Sequence, residues 1–242
     1  MTDTPPRWGT LYALGLGPGD PGLVTVRAAE VLRAAPVVAY PVGDAGDAGR
    51  AYRIAAPYLA PGVVQVPLEM PMTGHRPTLE RAWEVGIAAL TQHALAGRDV
   101  SYLCLGDTLL YGSFGYLLAR YEGPVEVVPG VISPVAAASA LRLPLVEGRE
   151  PLVIVPDGSD LGLLGDALAL GGTVVVMKPS RLGAAGAALL HETGAAARAW
   201  VSQDVTLRSE RLFRAASPEE LAALPYFSLI VIPPAGRNGD AA

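Results

Sequence analysis

The sequence predicts an α/β protein of two domains. Two observations carry the class. Short, apolar, β-branched runs alternate with stretches of helical periodicity from residue 10 to residue 232, and glycine-rich loops stand where one gives way to the other. A third observation sets the boundary: the turn cluster Glu122-Gly123-Pro124, after which the alternation starts afresh. Residues 1–121 are therefore expected to form the first domain and 122–235 the second, with 236–242 a small, polar, disordered tail.

Each element has its own reason. Residues 10–16 read as a buried strand that runs into Gly15-Leu16-Gly17-Pro18-Gly19-Asp20-Pro21-Gly22. Thr25 then caps a helix whose Val26, Ala29, Val31 and Leu32 are expected to face one way. Residues 36–41 and 63–67 are strands, separated by a small-residue loop (43–49) and a short helix (50–59). Residues 78–95 form the longest amphipathic helix, with Leu79, Ala82, Trp83, Ile87 and Leu90 at helical spacing. Residues 99–103 form a buried strand that ends in Cys104-Leu105-Gly106-Asp107, ahead of a helix at 116–120. In the second half, 125–128, 152–155, 173–177, 198–202, 211–214 and 227–232 read as strands, and 135–141, 184–192 and 218–223 as helices. Ser217 caps the last helix, with Glu220 in the capping-box position. Several of these strands follow one another closely, so the second sheet is expected to be mixed. No repeat is visible.

Composition narrows the function. Half of the 242 residues are apolar, enough for a folded core. No apolar run reaches the roughly 18–20 residues of a membrane helix. Residues 1–7 lack the basic start and apolar core of a signal peptide, so the cytoplasm is the expected compartment. A net charge of −5 argues against a nucleic-acid partner. The one cysteine, Cys104, excludes an internal disulfide and reads as a core residue; no spaced His/Cys/carboxylate cluster points to a metal. The histidines are scattered. His93 reads as a solvated or rim residue, and His75 lies in the irregular segment around Met70-Pro71-Met72-Thr73.

Gly17-x-Gly19-x-x-Gly22 after a strand matches a dinucleotide fingerprint, with Asp44 near the ribose distance. Pro18 and Pro21 remove two amide donors, however, and Asp20 sets a carboxylate where phosphates would lie. The loop is a rigid turn rather than a phosphate cradle. A nucleotide-binding oxidoreductase and a non-catalytic ligand-binding module remain as readings of a different class.

Taken together, the segment from Gly15 to Thr25 with Val37-Val38-Ala39-Tyr40, then Gly106-Asp107 with Tyr111-Gly112, then Val127-Val128-Pro129-Gly130-Val131-Ile132-Ser133, and finally Val174-Val175-Val176-Met177 resemble, in order and spacing, the motifs of the tetrapyrrole (corrin/porphyrin) methyltransferases. Glu69 to Thr73, Tyr111 to Phe114, Met177-Lys178 and Pro225-Tyr226-Phe227-Ser228-Leu229 resemble the precorrin-2 C(20)-methyltransferase branch of cobalamin biosynthesis. Thr108 departs from the family's Gly-Asp-Pro, which implies a slightly looser turn, and Ile132 stands where many relatives have threonine.

The resemblance implies two α/β domains with a cofactor cleft between them, usually in a homodimer, and S-adenosylmethionine as methyl donor for a tetrapyrrole substrate. By motif position it assigns Pro18, Leu105, Gly106, Asp107, Leu110, Tyr111, Ile132, Ser133 and Met177 to the cofactor. A substrate rich in carboxylates implies cationic partners, for which Arg50, Arg53, Arg76 and Lys178 are the candidates. The sequence assigns no catalytic base and no metal. Another ring position is the alternative within the family.

Overall fold

The computed structural model describes residues 8–43, 49–71, 75–215 and 217–237. The chain divides into two compact units, Met1–Ile132 and Ser133–Ala242.

The first unit holds β1 (Leu11–Gly15), α1 (Val26–Ala34), β2 (Val37–Val42), α2 (Arg50–Ala55), β3 (Val64–Glu69), α3 (Arg76–Leu95), β4 (Val100–Cys104), α4 (Phe114–Leu118) and β5 (Val125–Val128). Its five strands are parallel, in the order β3-β2-β4-β1-β5. Alternate side chains feed two cores, as the period of a strand dictates. Leu14, Val38, Tyr40 and Leu103 meet Ala28, Val31 and Leu32 of α1 and Ile54 of α2 on one face. Leu11, Ala13, Val37, Val100 and Tyr102 meet Trp83 and Leu90 of α3 and Phe114 and Leu117 of α4 on the other. The neighbouring strands β1 and β4 thus send their connections to opposite faces. At such a point a parallel sheet opens toward a ligand at the carboxyl ends of its strands.

The second unit holds α5 (Ser133–Leu141), β6 (Leu152–Val155), α6 (Leu161–Ala169), β7 (Thr173–Met177), α7 (Gly183–Glu192), β8 (Trp200–Gln203), β9 (Arg211–Phe213), α8 (Pro218–Ala222) and β10 (Ser228–Ile232). The sheet order is β6-β7-β10-β8-β9; only β6 and β7 pair in parallel, so this sheet is mixed. One face packs on α6, α7 and α8 through Val174, Val176, Ile230 and Ile232. The other packs on α5, where Val175, Leu229 and Val231 meet Ala136, Ala137 and Leu141.

Capping follows the sequence. Thr25 Oγ1 accepts from Ala28 N at 3.2 Å, and Ser217 Oγ from Glu220 N at 3.3 Å. Three expectations change. The strand Val125–Val128 pairs with β1 as the edge of the first sheet, so the division falls after Ile132 rather than at Glu122-Gly123-Pro124. A turn cluster marks a chain reversal, and a parallel crossover also needs one. Val26 is 76% exposed, because it begins the helix on the side turned away from the sheet. The helix Leu161–Ala169 has no counterpart among the expected elements, although Asp160 signals it by accepting from Leu163 N at 3.0 Å. Residues 238–242, and most of the loop 43–49, lie outside the described residues.

Candidate cofactor site

In the first unit the site is made of backbone. Register brings Gly15 beside Cys104, and Leu14 beside Val128, so three strands end together. Beyond those ends Gly17 and Gly106 exchange two amide bonds, Gly106 N to Gly17 O at 2.8 Å and Gly17 N to Gly106 O at 3.1 Å. Both residues have positive φ, +80° and +73°, which glycine adopts at little cost. A methyl group on Gly130 would lie 2.2 Å from Gly106 O and 2.6 Å from the Gly15 carbonyl carbon, so these chains touch where a side chain would separate them.

Asp107 locks this arrangement. Its Oδ1 accepts from Leu109 N at 2.9 Å and its Oδ2 from Gly130 N at 3.0 Å. The first bond closes the turn after β4, so threonine in place of proline at 108 keeps the turn. The second ties that turn to the loop after β5. Thr108 itself is fully buried, and its hydroxyl has no hydrogen-bond partner. Burial holds the thiol of Cys104 well above its usual range, with the Asp107 charge adding to the effect; it is an inert core group.

The other expected cofactor residues surround this frame. Pro18 is buried directly after Gly17, while Leu105 is exposed beside Gly106. Leu110 is half-buried and Tyr111 is 42% exposed, with its backbone in the left-handed region at φ +53°. A bulky residue in that conformation is strained, and such strain gathers at functional sites. Ile132 is half-buried at the end of the unit.

Three of the four cationic candidates lie in the first unit. In a parallel sheet each connection leaves from the carboxyl edge, so Arg50, Arg53 and Arg76 follow β2 and β3 at the same edge as the glycine loops. Arg50 is half-buried and Arg53 exposed. Arg76 is exposed and engages Glu80 at 2.9 Å, which raises its pKa. His75 stands at the N-cap position of α3 without a side-chain cap bond to the backbone, its Nδ1 lying 2.8 Å from Thr78 Oγ1. His93 is half-buried, as a rim residue is, but its Nδ1 is sealed without a partner, and burial, with help from Arg98, lowers its pKa.

In the second unit Ser133 opens α5, and Met177 ends β7 half-buried on the face it shares with Val175. Lys178 adopts φ +49°, and its ammonium lies 5.9 Å from the centre of the Tyr226 ring. The sequence did not reveal the strain in the loop between β8 and β9, where Asp204 and Thr206 also have positive φ (+50° and +67°).

The dinucleotide alternative loses its donors. The amides of Leu16, Gly17, Leu23 and Val24 donate to backbone carbonyls, and that of Gly22 to Asp20 Oδ1 at 2.7 Å. Asp44 lies outside the described residues, as do Met72 and Thr73. Among the described residues no helix is long and apolar enough to cross a membrane, and no three His, Cys, Asp or Glu side chains group as a metal site.

Comparison with known proteins fits this architecture. Residues 10–220 match the model of the Tetrapyrrole (Corrin/Porphyrin) Methylases. The chain is 36% identical to the cobalamin biosynthesis protein CobIJ of Mycobacterium tuberculosis over 95% of its own length, but spans only 47% of that relative. It is 33% identical to the cobalt-precorrin-2 C(20)-methyltransferase of Salmonella typhimurium, covering 93% of this chain and 96% of that one. With the precorrin-2 C(20)-methyltransferase of a Sinorhizobium species it shares 32% identity, covering 93% and 95%. Among solved structures, the uroporphyrin-III C-methyltransferase of Thermus thermophilus complexed with S-adenosylhomocysteine superposes with a TM-score of 0.66 at 29% identity, covering 92% of this chain and 97% of that one.

Proposed function

From the premise that the chain belongs to the tetrapyrrole (corrin/porphyrin) methylases, we propose that it transfers a methyl group from S-adenosylmethionine to carbon 20 of precorrin-2, or of its cobalt form, in cobalamin biosynthesis. The observation that carries the ring position is the similarity, at 32–33% identity over nearly the full length of both chains, to two C(20)-methyltransferases. The reading extends to the cytoplasm as compartment and to a homodimer as the working form.

The chemistry of the loops suits this donor. A donor with a sulfonium, an ammonium, one carboxylate, an adenine and no phosphate asks less of this loop's amides than a pyrophosphate would, and the loop after β1 has most of its amides engaged or replaced by proline. Bound there, S-adenosylmethionine supplies a methyl group already activated by positive sulfur. Pro18, Leu105, Gly106, Asp107, Leu110, Tyr111 and Ile132 of the first unit, and Ser133 and Met177 of the second, are the residues proposed to hold it. Asp107 does so through the loops it fastens.

No protein nucleophile is required for such a transfer. The chain's task is to align donor and acceptor, which supplies up to roughly 7–11 kcal/mol in favourable cases, and to exclude water. Arg50, Arg53, Arg76 and Lys178 would meet the substrate's carboxylates. The test is anaerobic incubation with S-adenosylmethionine and enzymically made precorrin-2, followed by mass spectrometry and NMR. One added methyl at the meso carbon between rings A and D is expected. A methyl at another position would move the protein to a different branch, and no added mass with bound cofactor would defeat the C(20) reading.

A further inference from the structure

We propose that Tyr102 is a positioning residue: through Ser113 it holds residues 109–113, the segment of Leu110 and Tyr111 that the reading above assigns to the methyl donor.

Ser113 departs from the role its place suggests. It stands at the N-cap of α4, where a serine hydroxyl ordinarily accepts an amide bond from the first turn. Here its backbone is helical (φ −74°, ψ −14°) and its side chain makes no cap bond. Its Oγ lies instead 3.3 Å from the hydroxyl of Tyr102. Tyr102 comes from the middle of β4 and is 1% exposed, on the face that packs against α3 and α4. A hydroxyl sealed at that depth needs a partner, because an unpaired one carries its full desolvation cost. Burial also raises the pKa of this phenol well above its ordinary value, so it stays a neutral hydrogen-bonding group. Its ring packs 5.3 Å from that of the fully buried Phe114. Tyr102 thus grips two successive residues where the loop becomes helix, one through its hydroxyl and one through its ring.

The other end of the segment is fastened by Asp107, whose Oδ1 accepts from Leu109 N at 2.9 Å. Between the two fastenings the chain folds back closely on itself: a methyl group on Gly112 would lie 3.1 Å from Thr108 O. Tyr111 lies within this fold at φ +53°. A bulky residue keeps a left-handed backbone only where the surrounding structure over-determines it. Asp107 fixes the entry to the segment, and the Tyr102–Ser113 bond fixes its exit. The strain at Tyr111 opposes the folded-back form, so this bond tips the balance toward it. A ligand that meets only that form binds in proportion to its population.

Calorimetry with S-adenosylhomocysteine on the full chain tests this. Tyr102→Phe and Ser113→Ala each remove the bond and keep the packing. Each should raise Kd by about fivefold, the worth of one ordinary hydrogen bond, and the double variant should raise it no further. Ser113→Thr, which keeps a hydroxyl, should bind like the unsubstituted protein. In a Tyr111→Gly background, where positive φ costs little, Tyr102→Phe should change Kd by less than about twofold. A lower melting temperature with unchanged Kd, or an equal rise in both backgrounds, would overturn the positioning role while the methyltransferase reading stands. In the free protein a left-handed Tyr111 gives a strong NOE between its own amide and Hα protons, which should weaken in Tyr102→Phe and in Ser113→Ala. Should the unsubstituted protein fail to bind S-adenosylhomocysteine, the donor reading falls, and an unchanged NOE in both variants then overturns the positioning role separately.

Discussion

Replacing Asp107 by alanine tests whether the first unit's loops are held by a side chain or by their own backbone. The carboxylate accepts two amide bonds, at 2.9 Å from Leu109 and 3.0 Å from Gly130. Bonds to a charged group contribute about 1.5–3 kcal/mol each when shielded. Asp107 is half-buried, and water reaches its partners after truncation, so about 1 kcal/mol each, or ~2 kcal/mol together, is the reasonable figure. At 1.4 kcal/mol per tenfold, that is a factor of about 30 in the equilibrium between fastened and loosened loops. Hydrogen exchange of the free protein should report it at the Gly130 amide, whose protection falls up to about 30-fold in Asp107→Ala. Asp107→Asn keeps one acceptor and turns its NH₂ toward the other amide, so it should show an intermediate loss. Affinity for S-adenosylhomocysteine should fall in the same order. If instead the variants bind ligand weakly but exchange at Gly130 like the unsubstituted protein, the carboxylate meets the ligand directly and the clamp reasoning fails.

Three further outcomes follow from other positions. Thr108→Val removes a fully buried hydroxyl that has no partner, and should stabilise the protein by about 1 kcal/mol, seen as a melting temperature roughly 2–4 °C higher; an unchanged or lower melting temperature would mean the hydroxyl is satisfied. Gly130→Ala forces a methyl group to 2.2 Å from Gly106 O and should cost about 3 kcal/mol, whereas Gly106→Ala meets only left-handed strain, about 1–2 kcal/mol; denaturant midpoints in the reverse order would contradict the contact described. The pKa of His93 is lowered in the fold, so the unfolded chain binds its proton first as pH falls. Stability attributable to this residue is complete above its ordinary value near 6.5 and is lost as pH falls through the depressed folded value. His93→Gln should flatten the acid-side dependence of urea unfolding, and an unaltered slope would exclude His93 as its source.

What the sequence makes legible is what depends on local pattern. The four-residue runs Val125–Val128 and Leu152–Val155 have the bounds expected, because each is rich in β-branched residues and closed by a proline at either end. The glycine loops are legible as turns by the same punctuation. Partnership across the chain is not. Nothing near Glu122 says that the strand after it pairs with β1, since strand order is decided by which faces must be covered. Asp107 reads equally well as a ligand group or a turn former until Gly130, distant in sequence, is seen to donate to it. His93 lies on a helix whose pattern suggests a rim, and only packing shows that its inner nitrogen is sealed.

The engaged backbone donors of the loop after β1 separate it from a dinucleotide site. A pyrophosphate binds a Gly-x-Gly-x-x-Gly turn through amides that point outward at a helix N-terminus. Here the amides of Gly17, Leu23 and Val24 are turned to carbonyl oxygens, and the Gly22 amide is held by the Asp20 carboxylate. Pro18 and Pro21 contribute none. A phosphate would have to displace a carboxylate of like sign and break the Gly17–Gly106 bridge. NADH should therefore show no calorimetric binding under conditions in which S-adenosylhomocysteine binds. Asp20→Asn removes the repulsion but leaves the amides engaged, so it should not create NADH binding; if it does, charge alone had closed the site, and the amide argument is wrong.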